Sequence, residues 1–541
     1  MHTIVTQDTG YETGTGDERL DRLIAALHAP VRYPHFVERV ELLQTHISCV
    51  LLAGNYAYKI KKPLNLGFLD FSTLAARRFY CEEELRLNRR TAPALYLEVI
   101  PIGGSETAPV LGGGGAPIEY ALKMRRFAQE ALLDRTARRG ELLPAHIDAL
   151  AAVLAAFHAG AVRAGPVPAF GSAGRVLAPA LQNFEQMLLL VHARADIALL
   201  ARMRDWTLRE HETLAGVFDA RKRDGWVREC HGDLHLGNIA LLEEVPTPFD
   251  AIEFNPDLRW IDVANEIAFL LMDLADHGLP RLAFRFLNAY LERSGDYAGV
   301  RVLRYYLVYR ALVRAKVSCL RAHQPGIGAR EQSGVEHEYR RHILLAQRLA
   351  ERAHPALLLM HGLSGSGKTT VAEGLAEALG AVRVRADVER KRLFGLPPQA
   401  RSGSGLDTGL YAPQANERTY ARLAELTRDL LQARYPVIVD ASFLKRDERR
   451  RFAQLAQDSG AAFVIASCSA SPATLRARVA LREREAKDAS EADLAVLERQ
   501  LASAEPLADD EAAQVLLLDA ERSTGAPEAA ALAQRLHLTL P

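Results

Sequence analysis

The stretch GLSGSGKTT, residues 362 to 370, constrains the fold more than any other part of the sequence. It matches the pattern G-x-x-x-x-G-K-[ST] in full, with the apolar run ALLLMH before it and helical spacing after it. In that context the glycines form a loop between a strand and a helix, where backbone N–H groups bind phosphate. The motif therefore predicts a parallel α/β sheet with a phosphate site at this loop.

The residues of this loop have separate predicted roles. Lys368 reaches the β and γ oxygens of a bound nucleotide and acts in catalysis, and Thr369 holds Mg²⁺. The alternative is a glycine turn that occurs by chance. Nucleotide contacts are predicted for Gly362, Gly365, Ser366, Gly367, Lys368, Thr369 and Thr370.

Downstream of the loop, strand-like and helix-like segments alternate, which predicts a parallel sheet with helices on both faces. Asp387 ends the predicted strand VRVRAD and Asp440 ends VIVD, so both acids are expected at the carboxyl edge of the sheet, where ligands bind. Asp440 is interpreted as a Mg²⁺-binding acid, and Asp387 as a catalytic base beside the substrate-binding Arg390. The alternative for either acid is a helix N-cap.

Four arginines, at positions 476, 478, 482 and 484, crowd one segment ahead of the acidic stretch KDASEAD. Such a segment can close over a transferring phosphate as a lid, and Arg478 and Arg482 are the predicted lid or substrate residues. A solvated helix with intrahelical ion pairs is the alternative.

A second motif, HGDLHLGNI at residues 231 to 239, places an acid and an amide five positions apart. This is the spacing of a kinase catalytic loop, in which Asp233 accepts the proton of an attacking hydroxyl and Asn238 binds Mg²⁺. His231 is expected to orient the loop. The alternative is a turn in which the acid caps a helix and the histidines are buried hydrogen-bonding residues.

Phosphoryl transfer also requires a second metal ligand and a cation on the phosphates. Glu253, in the run IEF, is predicted to be that ligand at a strand position. Lys59 of AYKIKK is the predicted cation, and Lys61 is next because it points to the same face of the strand. The ion-pair partner of Lys59 is expected among residues 82 to 84, all of them glutamates.

HGDLHLGN, IEF and RWIDVANEIA together resemble the aminoglycoside phosphotransferase family, as does LAAFHAG at 154 to 160. The resemblance implies a bilobal, protein-kinase-like fold over residues 19–345, with ATP between the lobes and a small-molecule hydroxyl as acceptor. It also implies that Asp233 is the base, Asn238 a metal ligand, Asp262 the loop-bracing acid, and Lys59 with Glu83 the ion pair. The sequence differs from the family in having Glu253 where an aspartate is usual and QTHIS where a glycine-rich loop is usual.

Residues 350–541 are similar to P-loop kinases related to gluconate kinase, zeta toxins and the kinase domain of polynucleotide kinase, on the strength of VRADVERKRLFG and VIVDASFLKRDER. The order of the two halves resembles proteins described as bifunctional aminoglycoside phosphotransferase and ATP-binding proteins. The predicted fold class is therefore α/β multidomain, with an N-terminal kinase-like domain and a C-terminal P-loop domain.

The composition limits the classes of partner. Basic and acidic residues balance at 67 each, which disfavours a nucleic-acid partner, and five scattered cysteines suit a reducing cytoplasm. Residues 1–18 are polar, so a disordered N-terminus without a secretory signal is expected, and no apolar run reaches the ~20 residues of a membrane helix.

The preferred hypothesis is a cytoplasmic tandem kinase that uses ATP and Mg²⁺ at two sites. Two alternatives remain: a P-loop half that phosphorylates a nucleic-acid 5′-hydroxyl, and an ATP-sensing regulator with a catalytically silent kinase fold. Balanced charge disfavours the first, whereas Glu253 and the missing glycine-rich loop favour the second.

Overall fold

A computed structural model describes residues 17–67, 69–167, 169–324, 327–398, 400, 409–485, 490–521 and 524–540. Residues 1–16 of the predicted disordered N-terminus lie outside these ranges. Contacts divide the chain into two units, Met1–Asp273 with Val313–Tyr339, and Leu274–Leu312 with Arg340–Pro541. Residues 274–312 thus group with the second unit, although they precede the predicted boundary near residue 345. Among the described helices, none is both long enough and apolar enough to cross a bilayer.

The first unit begins with an antiparallel sheet whose strand order is β1-β2-β3-β6-β4-β5. Tyr58 and Ile60 of β3 face a core that includes α1, while Ala57 faces the opposite side with Val50 and Leu52. This alternation puts the two lysines of β3 on the same side as Ala57. The elements are α1 (Glu18–Leu27), β1 (Val40–Gln44), β2 (Ser48–Ala53), β3 (Tyr56–Lys61), α2 (Leu74–Asn88), β4 (Tyr96–Gly104), β5 (Pro109–Leu111) and β6 (Glu119–Arg125).

The rest of the first unit is mainly helical, with two short antiparallel ribbons that pair β7 with β10 and β8 with β9. The helix α8 follows directly after β10 and is apolar enough for most of its residues to be buried. The elements are α3 (Leu133–Arg138), α4 (Pro144–Gly160), α5 (Ala173–Leu188), α6 (Arg194–Arg223), β7 (Val227–Glu229), β8 (Ile239–Leu242), β9 (Val245–Pro248), α7 (Pro256–Arg259), β10 (Trp260–Asp262) and α8 (Val263–Asp276).

The second unit is built on a five-stranded parallel sheet in the order β12-β13-β11-β14-β15. Helices α12 and α18 pack on one face around Leu358, Met360 and Ile438, and α14 and α15 cover the other side. The elements are α9 (Pro280–Ser294), β11 (Ala356–His361), α12 (Lys368–Leu379), β12 (Val382–Arg385), α13 (Ala386–Leu393), α14 (Pro413–Gln432), β13 (Val437–Asp440), α15 (Arg446–Asp458), β14 (Ala462–Ser469), α16 (Pro472–Glu485), α17 (Leu494–Ser503), β15 (Val515–Asp519) and α18 (Ala529–Leu536). The helices α10 (Val300–Ala322) and α11 (Ala329–Ala350) each contribute residues to both units.

The predicted fold class is confirmed in both units: a small sheet lobe followed by a helical lobe, and a parallel sheet covered by helices on both faces. One local prediction is wrong. Residues 249–255, FDAIEFN, do not form a strand, because this segment bonds to the loop at 231–238 instead of to a neighbouring strand. The N–H of Ile252 donates to the carbonyl of His231 at 3.0 Å, and the N–H of Phe249 donates to that of Asn238 at 2.9 Å.

Candidate active sites

Lys59 lies at the centre of a buried ion-pair network in the first unit. Its ammonium group is 2.8 Å from Oε1 of Glu84 on α2 and 2.6 Å from Oδ1 of Asp250. Asp250 has a left-handed backbone conformation with φ of 65°, and the hydroxyl of Tyr96 accepts its N–H at 3.1 Å. Asp250 therefore links the lysine of the sheet lobe to the segment that bonds to the 231–238 loop.

Lys61 extends the same network. Its ammonium group pairs with Oε2 of Glu84 at 2.6 Å and with Oε1 of Glu253, and it lies 4.9 Å from the ring centre of Phe71. The second carboxylate oxygen of Glu253 is buried and accepts no hydrogen bond. A buried anionic oxygen without a partner is costly, so its chemistry suits a bound cation such as Mg²⁺.

The charges in this network support one another. Burial alone would lower the pKa of Lys59, but the carboxylates of Asp250 and Glu84 outweigh burial and hold that pKa above its usual value. Burial alone would raise the pKa of Glu84, but Lys59 and Lys61 outweigh burial and lower it. Together with Glu253, the network contains two ammonium groups and three carboxylates, so it favours one further positive charge.

Glu83 is not the partner of Lys59, and the pairing implied by the family resemblance is wrong at this position. The carboxylate of Glu83 instead accepts from Arg86 at 2.7 Å and from Arg259 at 2.8 Å. Neighbouring residues of a helix point about 100° apart, so only one of the three adjacent glutamates can face β3. That residue is Glu84, which is fully buried.

The 231–238 loop brings Asp233 and Asn238 together, as predicted. The side-chain amide of Asn238 donates to the backbone carbonyl of Asp233 at 3.0 Å and to its carboxylate at 3.2 Å. His231 is bonded through Nε2 to the carbonyl of Phe249 at 2.8 Å, and burial lowers its pKa. A neutral imidazole in that bond donates Nε2–H to the carbonyl, which are the contacts of an orienting residue.

Glu266, which sequence reasoning missed, braces this loop from α8. It is fully buried, and its carboxylate accepts the N–H groups of both His231 and Gly232. Asp262, the predicted loop-bracing acid, instead forms a bidentate pair with Arg221 at 2.6 and 2.8 Å. Asp262 ends β10, and Glu266 lies four residues later in the first turn of α8, where its carboxylate reaches the loop.

A groove of about 550 Å³ lies where the chain leaves the end of β6. Leu43, Leu52 and the segment 126–130 line it. Leu52 packs with Ala57, so the groove lies on the side of the sheet that also carries Lys59 and Lys61. The groove is therefore a concavity of ligand size on the lysine-bearing side of the sheet.

The turn between β1 and β2 occupies the position of the missing glycine-rich loop. The hydroxyl of Thr45 accepts the N–H groups of Ile47 at 3.3 Å and Ser48 at 2.9 Å. These two donors are therefore already bonded within the turn. A phosphate at this position would have to compete for them.

The P-loop of the second unit needs its glycines for steric reasons. Gly362, Gly365 and Gly367 have φ of 139°, 80° and 83°. A Cβ atom on Gly362 would lie 2.4 Å from the carbonyl oxygen of Cys468, and one on Gly365 would lie 2.8 Å from that of Leu475. The loop then leads into α12, which begins at Lys368 and includes Thr369 and the exposed Thr370.

Some donors of this loop are used within it. Ser366 is buried and its N–H donates to the carbonyl of Leu363 at 3.1 Å. Lys368 folds back over the loop, with its ammonium group 2.7 Å from the same carbonyl. Burial lowers the pKa of Lys368, and the carboxylates of Asp440 and Asp387 partly offset that effect. A bound phosphate would supply the missing counter-charge.

Asp440 ends β13 next to the strand that carries the loop, as predicted. Burial raises its pKa, and one carboxylate oxygen is buried without a hydrogen bond, with Arg385 Nε at 3.7 Å. This orphaned oxygen fits a Mg²⁺ ligand, as does that of Glu253. Asp387 lies in the first turn of α13, not at the strand end, and Arg385 is the N-cap residue. The N-cap alternative is thus wrong for Asp387, and also for Asp440, because the next helix has Lys445 as its N-cap.

The predicted arginines differ in their positions. Arg390 is buried and donates to the carbonyl of Leu410 and to Asn416, both at 3.0 Å, so it braces the start of α14. Arg478 lies within 3.5 Å of the Gly365 carbonyl, in contact with the phosphate loop. Arg482 donates to the carbonyl of Ala492 at 2.8 Å.

Gln500 on α17 was not predicted from the sequence. Its side-chain oxygen accepts the N–H of Ser364 in the phosphate loop at 2.8 Å. The helices α16 and α17 therefore each contact the loop through one side chain, Arg478 and Gln500 respectively. Nothing in the sequence pattern around residue 500 distinguishes this glutamine from an exposed helical one.

Two comparisons with known sequences place the chain among relatives. It is 31% identical over 458 residues to the uncharacterized protein Rv2004c of Mycobacterium tuberculosis (strain ATCC 25618 / H37Rv), an alignment that covers 83% of this chain and 88% of the relative. The uncharacterized protein Mb2027c of Mycobacterium bovis aligns to the same extent. The chain belongs to the family of these mycobacterial proteins. A family model described as an AAA domain also matches residues 357–507, which confirms the predicted P-loop domain.

Solved structures overlap with one half of the chain at a time. A gluconokinase from Sinorhizobium meliloti 1021 has 24% identity and a TM-score of 0.25, and the overlap covers 34% of this chain and 96% of that one. The amicoumacin kinase hAmiN, solved with AMP-PNP, Ca²⁺ and Ami, has 14% identity and a TM-score of 0.38, with coverage of 60% and 94%. A choline kinase from Cryptosporidium parvum Iowa II has 10% identity and a TM-score of 0.38, with coverage of 62% and 96%. At these scores no activity follows from the overlaps.

Proposed function

We propose that this protein is a tandem ATP-dependent phosphotransferase that transfers the γ-phosphoryl group of ATP to hydroxyl groups of small molecules at two sites. One observation carries the proposal. Each unit places a buried carboxylate oxygen without a hydrogen bond, on Glu253 and on Asp440, in the same cluster as a lysine suited to phosphate. Two orphaned anionic oxygens of this kind suit the Mg²⁺ that accompanies ATP.

At the first site, Asp233 would accept the proton of the acceptor hydroxyl, and Asn238 would hold it in place through the bond between the two side chains. Lys59 would neutralise charge on the phosphates while Glu84 and Asp250 keep it protonated. Glu253 and Asn238 are the proposed ligands of Mg²⁺, which neutralises phosphate charge when bound. The groove at the end of β6 would take the base.

At the second site, the backbone of Gly365 to Gly367 and the side chain of Lys368 would bind the phosphates. Thr369 and Asp440 are the proposed Mg²⁺ ligands, and Asp387 the proposed base. Arg478, in contact with the loop, would close over the γ-phosphate and exclude water.

The test uses the full-length protein with ATP, Mg²⁺ and panels of polyols and aminoglycosides, with phosphorylated products identified by mass spectrometry. We expect Asp233→Asn and Lys368→Ala to abolish different products. The matched controls are Asp257→Asn, at a half-exposed aspartate, and Lys445→Ala, at a half-exposed lysine. If neither active-site substitution changes any ATP turnover, the proposal is wrong.

A second candidate function is supported by the turn at Thr45, whose hydroxyl already holds two backbone donors. In this alternative the first unit binds ATP as a sensor without transferring phosphate. Calorimetry on the Lys368→Ala protein distinguishes the two functions. If the Lys368→Ala protein binds Mg·ATP saturably but releases no ADP when any acceptor of the panel is added, the first unit acts as a sensor.

A further inference from the structure

Helix α9 covers the edge strand of the parallel sheet in the second unit. Asn288 performs the role of a neighbouring strand: its amide donates to the carbonyl of Ala381 at 2.9 Å and its oxygen accepts the N–H of Arg383 at 2.7 Å. Edge strands carry unpaired backbone groups that a protein must cover. This contact fixes α9 against β12, the strand that leads to Asp387.

Glu292 lies one helical turn after Asn288 on the same face of α9. Its carboxylate accepts from Arg383 at 2.6 Å and from Arg385 at 3.3 Å, and its side chain is 13% exposed. Burial alone would raise the pKa of Glu292, but the two guanidinium groups outweigh burial and lower it. Glu292 is therefore an anion held between two arginines.

Both arginines also reach the phosphate site. Arg383 donates to the backbone carbonyl of Thr369 at 3.2 Å. The Nε atom of Arg385 is 3.7 Å from the orphaned oxygen of Asp440, beyond hydrogen-bond distance. Arg383 therefore lies beside the proposed Mg²⁺ ligand Thr369, and Arg385 lies beside the proposed ligand Asp440. Both arginines also donate to the carboxylate of Glu292.

We propose that Glu292 is a positioning residue of the P-loop site, which keeps Arg385 off the Asp440 carboxylate and so leaves that carboxylate available to Mg²⁺. The inference rests on the proposed binding of Mg·ATP at this loop. Glu292 belongs to segment 274–312, which is far from the P-loop in sequence, and it supports the second site through Arg385.

The physical reason is competition for one guanidinium group. With Glu292 present, Arg385 donates to the Glu292 carboxylate at 3.3 Å, while its Nε atom stays 3.7 Å from the Asp440 oxygen. Without that negative charge, Arg385 can turn toward the Asp440 carboxylate, and a hydrogen-bonded ion pair there would occupy the oxygen that Mg²⁺ needs. A metal ion would then have to displace a buried arginine before it could bind.

The experiment measures the Mg²⁺ dependence of binding of a fluorescent ATP analogue to the full-length protein. The part of the signal that Lys368→Ala removes defines the P-loop site. We expect Glu292→Gln to raise the Mg²⁺ concentration for half-saturation of that part by about 10- to 100-fold, the range for loss of a residue that supports a metal ligand. Glu292→Asp, which keeps the charge, should recover part of the loss.

The deciding measurement is the double variant Glu292→Gln with Arg385→Gln. If Arg385 is the competitor, its removal should restore the Mg²⁺ dependence toward that of the wild type. The control is Glu373→Gln, which removes an exposed contact of α9 with α12 through Arg285 at 3.0 Å and should leave the Mg²⁺ dependence unchanged.

Two results would overturn the inference: an unchanged Mg²⁺ dependence in Glu292→Gln, or a loss that the double variant does not restore. The second result would mean that Glu292 only stabilises the fold. Failure of the proposed function is separate, because the wild-type protein would then show no signal that depends on Lys368.

Discussion

Glu84→Gln offers the sharpest test of the buried network in the first unit. The substitution keeps the shape of the side chain but removes the charge that Lys59 and Lys61 share, at 2.8 and 2.6 Å. The new amide has one oxygen for two ammonium groups, and its NH₂ group faces a cation. Removing one partner of a fully buried ion pair costs about 3–5 kcal/mol. The local unfolding equilibrium should therefore shift by roughly two to three and a half decades.

Hydrogen exchange followed by mass spectrometry is the suitable assay, because a chain of two units need not unfold in one step. Peptides from β3 and α2 should lose protection in Glu84→Gln, whereas peptides from the sheet of the second unit serve as an internal reference. Glu82→Gln, two residues away, is the matched control. Glu82 is half exposed and pairs with Arg78 one turn away, so its loss should cost no more than about 0.5 kcal/mol. Equal effects of the two substitutions would refute the argument that the network is desolvated and interdependent.

Three further predictions concern single residues. Gly362→Ala should abolish ATP-analogue binding at the P-loop, because the added Cβ would lie 2.4 Å from the carbonyl of Cys468. Gly395→Ala, at a glycine whose φ is also positive at 72° but which has open space around it, controls for backbone strain in the same fluorescence assay. Glu266→Gln leaves one of two buried N–H groups without an acceptor, so it should cost about 1–3 kcal/mol in thermal unfolding and lower kcat at the first site more than it raises KM; a change in KM alone would contradict this. Burial raises the pKa of Asp440, so as the pH falls protons should compete with Mg²⁺ earlier than at an ordinary aspartate, and Asp440→Asn should remove that pH dependence in an Mg²⁺ titration.

The loops at 231–238 and 362–367 were predictable because each is built from residues a few positions apart. The glycines of 362–367 are required by left-handed backbone angles, and the bond between Asn238 and Asp233 joins residues of one tight loop. The strand pattern also predicted β3 and the common face of its two lysines. In each case the local pattern and the local geometry carry the same information.

Charge pairing was less predictable. Three consecutive glutamates offered three candidates for Lys59, and the hydrophobic pattern of α2 is too weak to orient them. The loop-bracing acid lay one turn beyond the predicted Asp262, at Glu266. Asp250, which pairs with Lys59, had no signal beyond its closeness to Glu253. Each choice depends on which helix face is packed inward, and neighbouring elements decide that.

The sequence by itself determined the glycine-rich loop at 362–370, the loop at 231–239, a sheet lobe in which one strand carries two lysines, and a parallel α/β sheet. Only the tertiary structure decided which acids complete those sites. Lys59 meets Asp250 across 191 positions and Arg383 meets Glu292 across 91. A buried charge must find its partner in space, and packing brings together groups that the order of residues keeps apart.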